Sequence, residues 1–548
     1  MVLQEYLLFS DTISLIFTRI IVKSRTTSAL IIGVALFIVL FDNTSFFRHV
    51  LEVYPFNSSY APFVISLGIV CFLFLVLFFS LLGWRYTIKP LLVFMLIVSA
   101  IENYFMETYN ILIDRTMIEN IIHTDAREVF DLMSWKLFAY LILLGLLPSY
   151  FIYKTPLVYV GLKKELVFKV PLIMGSIVLI FFIMLPFSKH YTSFFREHKI
   201  LRSYTNPNHG LYSLGVYIKE RVKDKNTPLT QIGLDAKIEK REKRKVVIMV
   251  VGEAARADHF SLNGYEKETN PLLKKEEIIN FENMYSCGTT TAVSVPCMFS
   301  IYNRCEYDTS KGRHTENVLD VLSHAGVEVL WRDNNSNSKG VADRVKYEYY
   351  KRSKNNTMCE GECRDVGMLV GLDKLIEESC KDIVIVLHQM GNHGPAYYKR
   401  YPKEFERFTP TCKTNQLESC SEEEIANAYD NALLYTDYFL SQTIQLLKRY
   451  ENTIDMAMFY ISDHGESLGE GGFYLHGLPY FIAPDTQKHV ASVLWLGENF
   501  PIDREKLRKN VSCEFTQDNL FSTLLGLFDV QTEVYDEKMD ILKFISKG

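Results

Sequence analysis

Residues 246–253 read VVIMVVGE, a continuous apolar and largely β-branched run that ends in a carboxylate. Such a run is typical of a strand that is buried on both faces of a parallel sheet. Similar runs lie at residues 327–335, 382–394, 456–466 and 491–498. Helical stretches such as Glu423–Arg449 and Gln517–Phe528 separate them. The alternation predicts a mostly parallel α/β sheet with helices on both faces, and ligands of such sheets bind at the carboxyl ends of the strands.

Potential metal ligands follow several of these strands. They are Glu253, His393, Asp463, His464 and, in the YLHGLP segment, His476. One such residue alone would be an ordinary loop residue. Carboxylates and imidazoles gathered at the strand ends of one sheet form a metal-site pattern, so the sequence predicts a bound metal.

The segment CGTTTAVSVPC, residues 287–297, is small, rich in hydroxyls and bracketed by cysteines. Thr289, Thr290 or Thr291 would open the helix that follows. A hydroxyl there faces unpaired backbone N–H groups, which suits a phosphate. The alternative is a plain N-cap threonine. A nearby divalent metal favours a nucleophile, because coordination lowers the pKa of the hydroxyl.

The first part of the chain is of a different kind, with apolar stretches long enough to cross a bilayer. The five predicted spans are Thr27–Phe47, Tyr60–Trp84, Lys89–Tyr109, Trp135–Tyr153 and Phe168–Ser188. Basic residues lie before the first span and after the second and fourth spans. All of them face the cytoplasm, as the positive-inside rule requires, only if the N-terminus is cytoplasmic. An odd number of spans then places the chain after Ser188 outside the cytoplasm. Residues 1–26 fit either a helix on the inner membrane surface or a disordered tail.

Cysteine usage and charge narrow the class further. Of the ten cysteines only Cys71 lies in a predicted span, and close spacings such as Cys359/Cys363 and Cys412/Cys420 suit local disulfides in an oxidising compartment. The net charge of −5 gives no basic stripe, so nucleic acid is not an expected partner.

We expect a membrane domain at 1–190, with a periplasmic amphipathic segment near 110–134, a linking segment at 191–244 and a catalytic domain at 245–548.

The motifs VVGEAARADHFSLNGYE, SCGTTTAVSVPCMFS, LWRDNNSNSKG, LHQMGNHGPAYYKRY and YISDHGESLGEGGFYLHG resemble those of the lipid A phosphoethanolamine transferases, a family that includes the mobile colistin-resistance enzymes. The resemblance is nearly full length. It implies an N-terminal five-helix transmembrane bundle followed by an α/β fold of the alkaline phosphatase and sulfatase type. It also implies a bacterial inner-membrane enzyme whose catalytic domain is periplasmic.

The resemblance assigns roles to individual residues. Thr291 would be the nucleophile, and the family's catalytic zinc ligands fall on Glu253, Thr291, Asp463 and His464. His393 and His476 match positions that bind phosphoethanolamine or a second zinc. Other matched positions, expected to bind substrate, are Ser336, Lys339, Asn120, Thr124 and Glu128. The implied disulfides are Cys287–Cys297, Cys359–Cys363 and Cys412–Cys420.

Asn120, Thr124 and Glu128 recur every four residues, so on a helix they share one face. That face would bind a phospholipid headgroup or would simply be the solvated side of an amphipathic helix.

The implied reaction is zinc-dependent transfer of phosphoethanolamine from phosphatidylethanolamine to a lipid A phosphate, through a covalent intermediate on Thr291. It would lower the negative charge of lipid A and weaken its attraction for cationic polymyxins. Alternatives are transfer to a core sugar or a protein, a phosphoglycerol transferase, a phosphatase, or a scaffold with an inactive catalytic fold. A sulfatase would need a Cys or Ser in a CxPxR-type context, which the sequence lacks. We expect the protein to act as a monomer.

Overall fold

The computed structural model describes residues 26–123, 129, 132–158, 161–196, 198–224 and 227–544. The chain forms two compact units: the first extends to Ile118 and continues at Met133–Tyr217, and the second comprises Glu119–Leu132 and Ile218–Gly548. Residues 191–217, part of the predicted linking segment, therefore belong to the first unit. The two interpretations of residues 1–26 concern a segment that lies, except for Thr26, outside the described residues.

The first unit is a bundle of apolar helices. Within the described residues, four of its helices are long and apolar enough to cross a membrane, and a fifth span results if a pair bent by 55° counts as one. The predicted first span is that bent pair. The helices from the N-terminus to the link between the units are α1 Thr27–Phe41, α2 Thr44–Val53, α3 Ala61–Leu82, α4 Ile88–Tyr109, α5 Arg115–His123, α6 Trp135–Lys154, α7 Leu162–Met184, α8 Ser188–Arg196 and α9 Asn208–Asp224.

The bend between α1 and α2 has a local cause. The side-chain amide of Asn43 donates to the carbonyl of Ile38 at 3.0 Å and to that of Asn206 at 2.8 Å. Asn206 in turn donates to the carbonyls of Asp42 at 2.9 Å and Ser99 at 2.7 Å. Broken helices are tolerated in a membrane when protein groups satisfy the freed backbone atoms, and these two asparagines do so.

The second unit is built on a seven-stranded sheet of order β3-β14-β10-β2-β9-β5-β6. All eight residues of β2 are buried, as expected for a central strand. The strands of this unit are β1 Lys237–Ile238, β2 Lys245–Gly252, β3 Ile278–Asn280, β4 Asn283–Tyr285, β5 Glu328–Asp333, β6 Lys346–Tyr349, β7 Cys359–Glu360, β8 Glu362–Cys363, β9 Ile383–His388, β10 Asp455–Ser462, β11 Ser467–Leu468, β12 Tyr474–Leu475, β13 His489–Val490, β14 Ser492–Leu496, β15 Glu514–Thr516 and β16 Val530–Gln531.

The sheet is parallel from β10 through β2, β9 and β5 to β6, as the sequence predicts. The run at 491–498 differs, because β14 lies antiparallel to β10. The connecting residues 463–491 leave the sheet at its carboxyl edge and re-enter at that same edge, without a crossover to the opposite edge, so β14 runs in the opposite direction to β10.

Helices cover the sheet. Val247, Met249 and Val251 of β2 join a core cluster with side chains of the helices that begin at Val318 and Leu520. The helix Glu422–Lys448 packs on β10. The α-helices of this unit are α10 Thr291–Met298, α11 Thr309–Arg313, α12 Val318–His324, α13 Leu372–Glu378, α14 Glu422–Lys448, α15 Arg504–Arg508 and α16 Leu520–Leu527.

Candidate active site

Three of the candidate ligands sit directly after two neighbouring strands. Glu253 follows β2, and Asp463 and His464 follow β10. Because β2 and β10 pair in parallel with Gly252 opposite Ser462, the next residues of both strands emerge side by side. The side chains of all three candidate ligands are fully buried.

Thr291 completes this cluster. It is the first residue of α10, and Thr290 takes the N-cap position without a side-chain cap bond. The Thr291 hydroxyl donates to Glu253 Oε2 at 3.1 Å and lies 3.3 Å from His464 Nε2. Of the three threonines that the sequence offered, Thr291 is therefore the one whose hydroxyl contacts the carboxylate and the imidazole.

The cluster has the properties of a metal site. One ligand atom from each of Glu253, Asp463 and His464 lies within 4.8 Å of the others. Among the described residues, Glu253 Oε1 and Asp463 Oδ2 are buried without a hydrogen-bond partner. The Nδ1 atom of His464 lies 2.8 Å from the carbonyl oxygen of Gly465, so the ring donates there, and its Nε2 atom lies 3.4 Å from each of these two carboxylate oxygens. Without a metal this Nε2 atom would carry a proton shared with the carboxylates, and a bound metal would take its place. Two carboxylates and one imidazole suit zinc, and a cation would satisfy both orphaned oxygens.

The electrostatics of the two carboxylates differ. Burial alone would raise the pKa of Glu253, but the charge of His464 and of two neighbouring histidines lowers it to about 2. Burial and the charge of Glu253 raise the pKa of Asp463 to about 6. The negative charge of Glu253 therefore disfavours ionisation of Asp463, as expected for two neighbouring buried carboxyl groups.

A second group of side chains adjoins the first. The His476 ring lies 4.1 Å from the His464 ring and 6.1 Å from the His393 ring, between ring centres. Glu466, which the sequence analysis did not single out, accepts from His476 Nδ1 at 2.7 Å and from the Tyr397 hydroxyl at 2.6 Å. Burial raises the pKa of Glu466 to about 8. Its position two residues after His464 in the SDHGE motif was the available signal.

The loop after β5 reaches the same cluster through Asn335. Its side-chain amide donates to Glu253 Oε2 at 2.8 Å and to the Gln389 carbonyl at 2.7 Å. The predicted pair Ser336 and Lys339 lies on this loop, with Lys339 Nζ 2.7 Å from Ser336 Oγ. The family resemblance points to these two residues but not to Asn335, which contacts the candidate ligand Glu253 directly.

The predicted headgroup-binding residues are only partly described. Asn120 lies half-buried on α5, whereas Thr124 and Glu128 lie outside the described residues. On the same helix, the buried Glu119 forms ion pairs with Arg313 and, at 3.5 Å, with Arg221.

Disulfides join Cys287 to Cys297, Cys359 to Cys363 and Cys412 to Cys420. The first brackets Thr291. Within the described residues, the unpaired cysteines are Cys71, Cys305, Cys380 and Cys513.

Comparison with known proteins agrees with this architecture. A phosphoethanolamine transferase EptA/EptB family model matches residues 71–222, and a sulfatase family model matches residues 245–530. The phosphatidylethanolamine transferase Mcr-1 of Escherichia coli is 42% identical over 536 residues, which covers 95% of this chain and 98% of that protein. The chain belongs to the phosphoethanolamine transferase family.

Two further relatives of this transferase span nearly the whole chain. The phosphoethanolamine transferase EptA of E. coli K12 is 41% identical over 527 residues, 93% of this chain and 95% of that protein. The structure of the integral membrane protein lipooligosaccharide phosphoethanolamine transferase A of Neisseria meningitidis superposes with a TM-score of 0.91 at 36% identity, covering 94% of this chain and 98% of that one. The family assignment and the two-part fold predicted from the sequence are thus confirmed, and the protein is a transferase with a membrane part and a soluble alkaline-phosphatase-like part.

Proposed function

We propose that this transferase moves phosphoethanolamine from phosphatidylethanolamine to a phosphate of lipid A, with Thr291 as the nucleophile. The observation that carries the proposal is the position of the Thr291 hydroxyl, which is buried and in contact with Glu253 and His464. The name of one relative, a phosphatidylethanolamine transferase, supports the donor, and the name of another, a lipooligosaccharide phosphoethanolamine transferase, supports an acceptor of the lipooligosaccharide class. The choice of a lipid A phosphate within that class rests on the family resemblance.

The proposal includes a zinc ion held by Glu253, Asp463 and His464, with Thr291 as a further ligand. The orphaned oxygens of the two carboxylates and the orientation of His464 support this assignment. Zinc bound there would lower the pKa of the threonine hydroxyl and withdraw electrons from the phosphoryl group.

In the first half of the reaction, the Thr291 oxygen attacks the phosphorus of phosphatidylethanolamine and its hydroxyl proton is released. The bond from phosphorus to the diacylglycerol oxygen breaks, and that oxygen takes up a proton, so diacylglycerol leaves as a neutral alcohol. Phosphoethanolamine remains esterified to Thr291. In the second half, an oxygen of the lipid A phosphate attacks the same phosphorus, and Thr291 leaves and regains its proton.

Residues around the nucleophile would stabilise the negative charge of the transferred group. The His476 ring lies next to the ring of His464, and the His393 ring lies next to that of His476. Lys339 lies on the loop that carries Asn335. Cationic or hydrogen-bonding groups fixed before the reaction stabilise charge that develops on phosphoryl oxygens. We place Ser336, Asn120, Thr124 and Glu128 with the substrate-binding groups on the strength of the family resemblance.

The proposed setting is the bacterial inner membrane, with a cytoplasmic N-terminus and residues 245–548 as a periplasmic catalytic domain. Disulfides in the second unit support an oxidising compartment. Each transfer adds an amine to lipid A, so the outer surface becomes less negative and binds cationic polymyxins less tightly.

The test is intact-mass analysis of the purified full-length enzyme after incubation with phosphatidylethanolamine vesicles, with peptide mapping of the adduct. We expect phosphoethanolamine on Thr291 in the wild type and none in Thr291→Val, which keeps the side-chain shape but lacks the hydroxyl. An equal amount of adduct on Thr291→Val would refute the assignment of Thr291 as the nucleophile. Mass spectrometry of lipid A from cells with and without the gene tests the acceptor, and unmodified lipid A would favour a core sugar or a protein instead.

A further inference from the structure

One layer of the sheet below the proposed metal site contains a fully buried acid and histidine. Asp333 ends β5 and His388 ends β9, and the two residues are partners in the parallel register. His388 is in turn opposite Val251 of β2, and Glu253 follows Val251 by two residues. Asp333, His388 and Val251 are thus neighbours across three adjacent strands, just before the point where Glu253 leaves β2.

Asp333 accepts hydrogen bonds from four donors. Its Oδ2 atom binds Trp331 Nε1 at 2.8 Å and His388 Nδ1 at 3.0 Å. Its Oδ1 atom binds the backbone N–H groups of Asn335 at 3.0 Å and Asn337 at 3.2 Å. Burial alone would raise the pKa of Asp333, but the charge of His388 and these donors hold it below its usual value.

These bonds fix the loop that reaches the metal site. The two backbone groups that Asp333 binds lie on either side of Ser336, and one of them belongs to Asn335. The side chain of Asn335 bridges Glu253 Oε2 and the Gln389 carbonyl. The chain of contacts therefore runs from His388 through Asp333 and the Asn335 backbone to the carboxylate of Glu253.

We propose that Asp333, supported by His388, is a positioning residue that sets the orientation of the Glu253 carboxylate and thereby the zinc affinity of the site. The inference rests on the proposed function for the identity of the metal. Hydrogen-bond partners of metal ligands commonly change metal affinity or activity by about 10- to 100-fold when they are removed.

The main variant is Asp333→Asn, which preserves shape but replaces one acceptor oxygen with an NH₂ group. In either orientation of the amide, that group faces N–H donors, the loop backbone on one side or Trp331 on the other. The matched control is Asp437→Asn on α14. Asp437 is equally buried and accepts from the backbone N–H groups of Leu272 and Leu273 at 2.9 Å.

Zinc affinity is measured on the metal-stripped full-length protein by competition with a chromophoric chelator. The values of kcat and KM are measured on the zinc-loaded protein, and the midpoint of thermal unfolding is measured for each variant. We expect Asp333→Asn to bind zinc at least tenfold more weakly and to lose kcat more than it raises KM. Asp437→Asn should lower the unfolding midpoint and leave zinc affinity within about threefold of wild type.

A second pair of variants keeps the test decisive if Asp333→Asn does not fold. His388→Asn places an amide N–H near the position of Nδ1 and should retain zinc affinity, whereas His388→Gln places it near Nε2 and should not. Equal zinc affinity in the two His388 variants, or wild-type affinity in a folded Asp333→Asn, would refute the proposal. Asp333 and His388 would then only stabilise the fold. A wild type that binds zinc yet transfers nothing from phosphatidylethanolamine would refute the proposed function while leaving the affinity comparison valid.

Discussion

The hydroxyl of Thr291 and the carboxylate of Glu253 are joined by a 3.1 Å hydrogen bond across 38 residues of sequence. Thr291 opens a helix and Glu253 directly follows a central strand, so the fold brings together a helix N-terminus and the carboxyl edge of the sheet. A hydroxyl in this position is held by a negative group and by the backbone dipoles of α10 at once.

Metal binding should raise the stability of the protein measurably. Glu253 Oε1 and Asp463 Oδ2 are buried without hydrogen-bond partners among the described residues, so a cation that binds the folded state relieves an unfavourable arrangement. At a free zinc concentration of 100 times Kd, the expected gain is about 2.7 kcal/mol. Thermal unfolding of chelator-treated protein, with and without added zinc, measures this gain.

The matched variant for that experiment is Glu253→Gln, which keeps the size of the side chain but removes its charge. We expect zinc to shift the unfolding midpoint of this variant far less than that of the wild type. A full zinc shift in Glu253→Gln would mean that zinc binds elsewhere.

The side-chain amide of Asn335 should contribute to catalysis as a hydrogen-bond donor. Its amide bridges Glu253 Oε2 and the Gln389 carbonyl, and Asn335→Asp would direct carboxylate oxygens toward both acceptors. We expect kcat to fall by about 100-fold, near the upper end of the range for the partners of metal ligands. Steady-state kinetics with phosphatidylethanolamine measure the loss. Asn355→Asp is the control, because the Asn355 amide donates to the Tyr349 carbonyl in an exposed turn, and it should retain activity. Near wild-type kcat in Asn335→Asp would show that the bridge is dispensable.

The sequence could single out the candidate ligands because each follows an apolar run whose end is visible. Glu253, Asp463 and His464 are the first polar side chains after strands with every residue buried. Without the family resemblance, the sequence alone could not decide among Thr289, Thr290 and Thr291. Any of the three threonines can begin a helix, and the structure shows that the helix begins at Thr291. The contact of Asn335 with Glu253 joins residues 82 positions apart, and periodicity carries no signal of such a pair.

The membrane unit shows the same division. Hydropathy predicted the spans, since a long apolar helix is visible in composition alone. The bend after Phe41 was missed because its stabilising partner, Asn206, lies 163 residues from Asn43.

The ion pairs of Glu119 should contribute strongly to stability. Its carboxylate is 5% exposed and contacts Arg313, which is 20% exposed, so Arg313→Leu removes a partner from a buried charge. We expect a loss of about 3 kcal/mol, measured as a lower midpoint of thermal unfolding. The control is Glu378→Gln, which breaks an exposed pair with Lys374 and should cost less than about 0.5 kcal/mol. Equal midpoints for the two variants would contradict a structural role for Glu119.

The disulfide Cys287–Cys297 should affect catalysis as well as stability, because it closes the segment that contains Thr291. The pair Cys412–Cys420 is a suitable comparison, since it spans 8 residues against 10 and contains no residue of the proposed site. Replacing either pair with serines removes a loop constraint of similar length, so we expect each to cost about 2–3 kcal/mol in unfolding free energy. Only the first replacement should also lower kcat, by about tenfold or more at a temperature where both variants remain folded. Equal kcat in the two double-serine variants would show that the turn around Thr291 holds its shape without the bond.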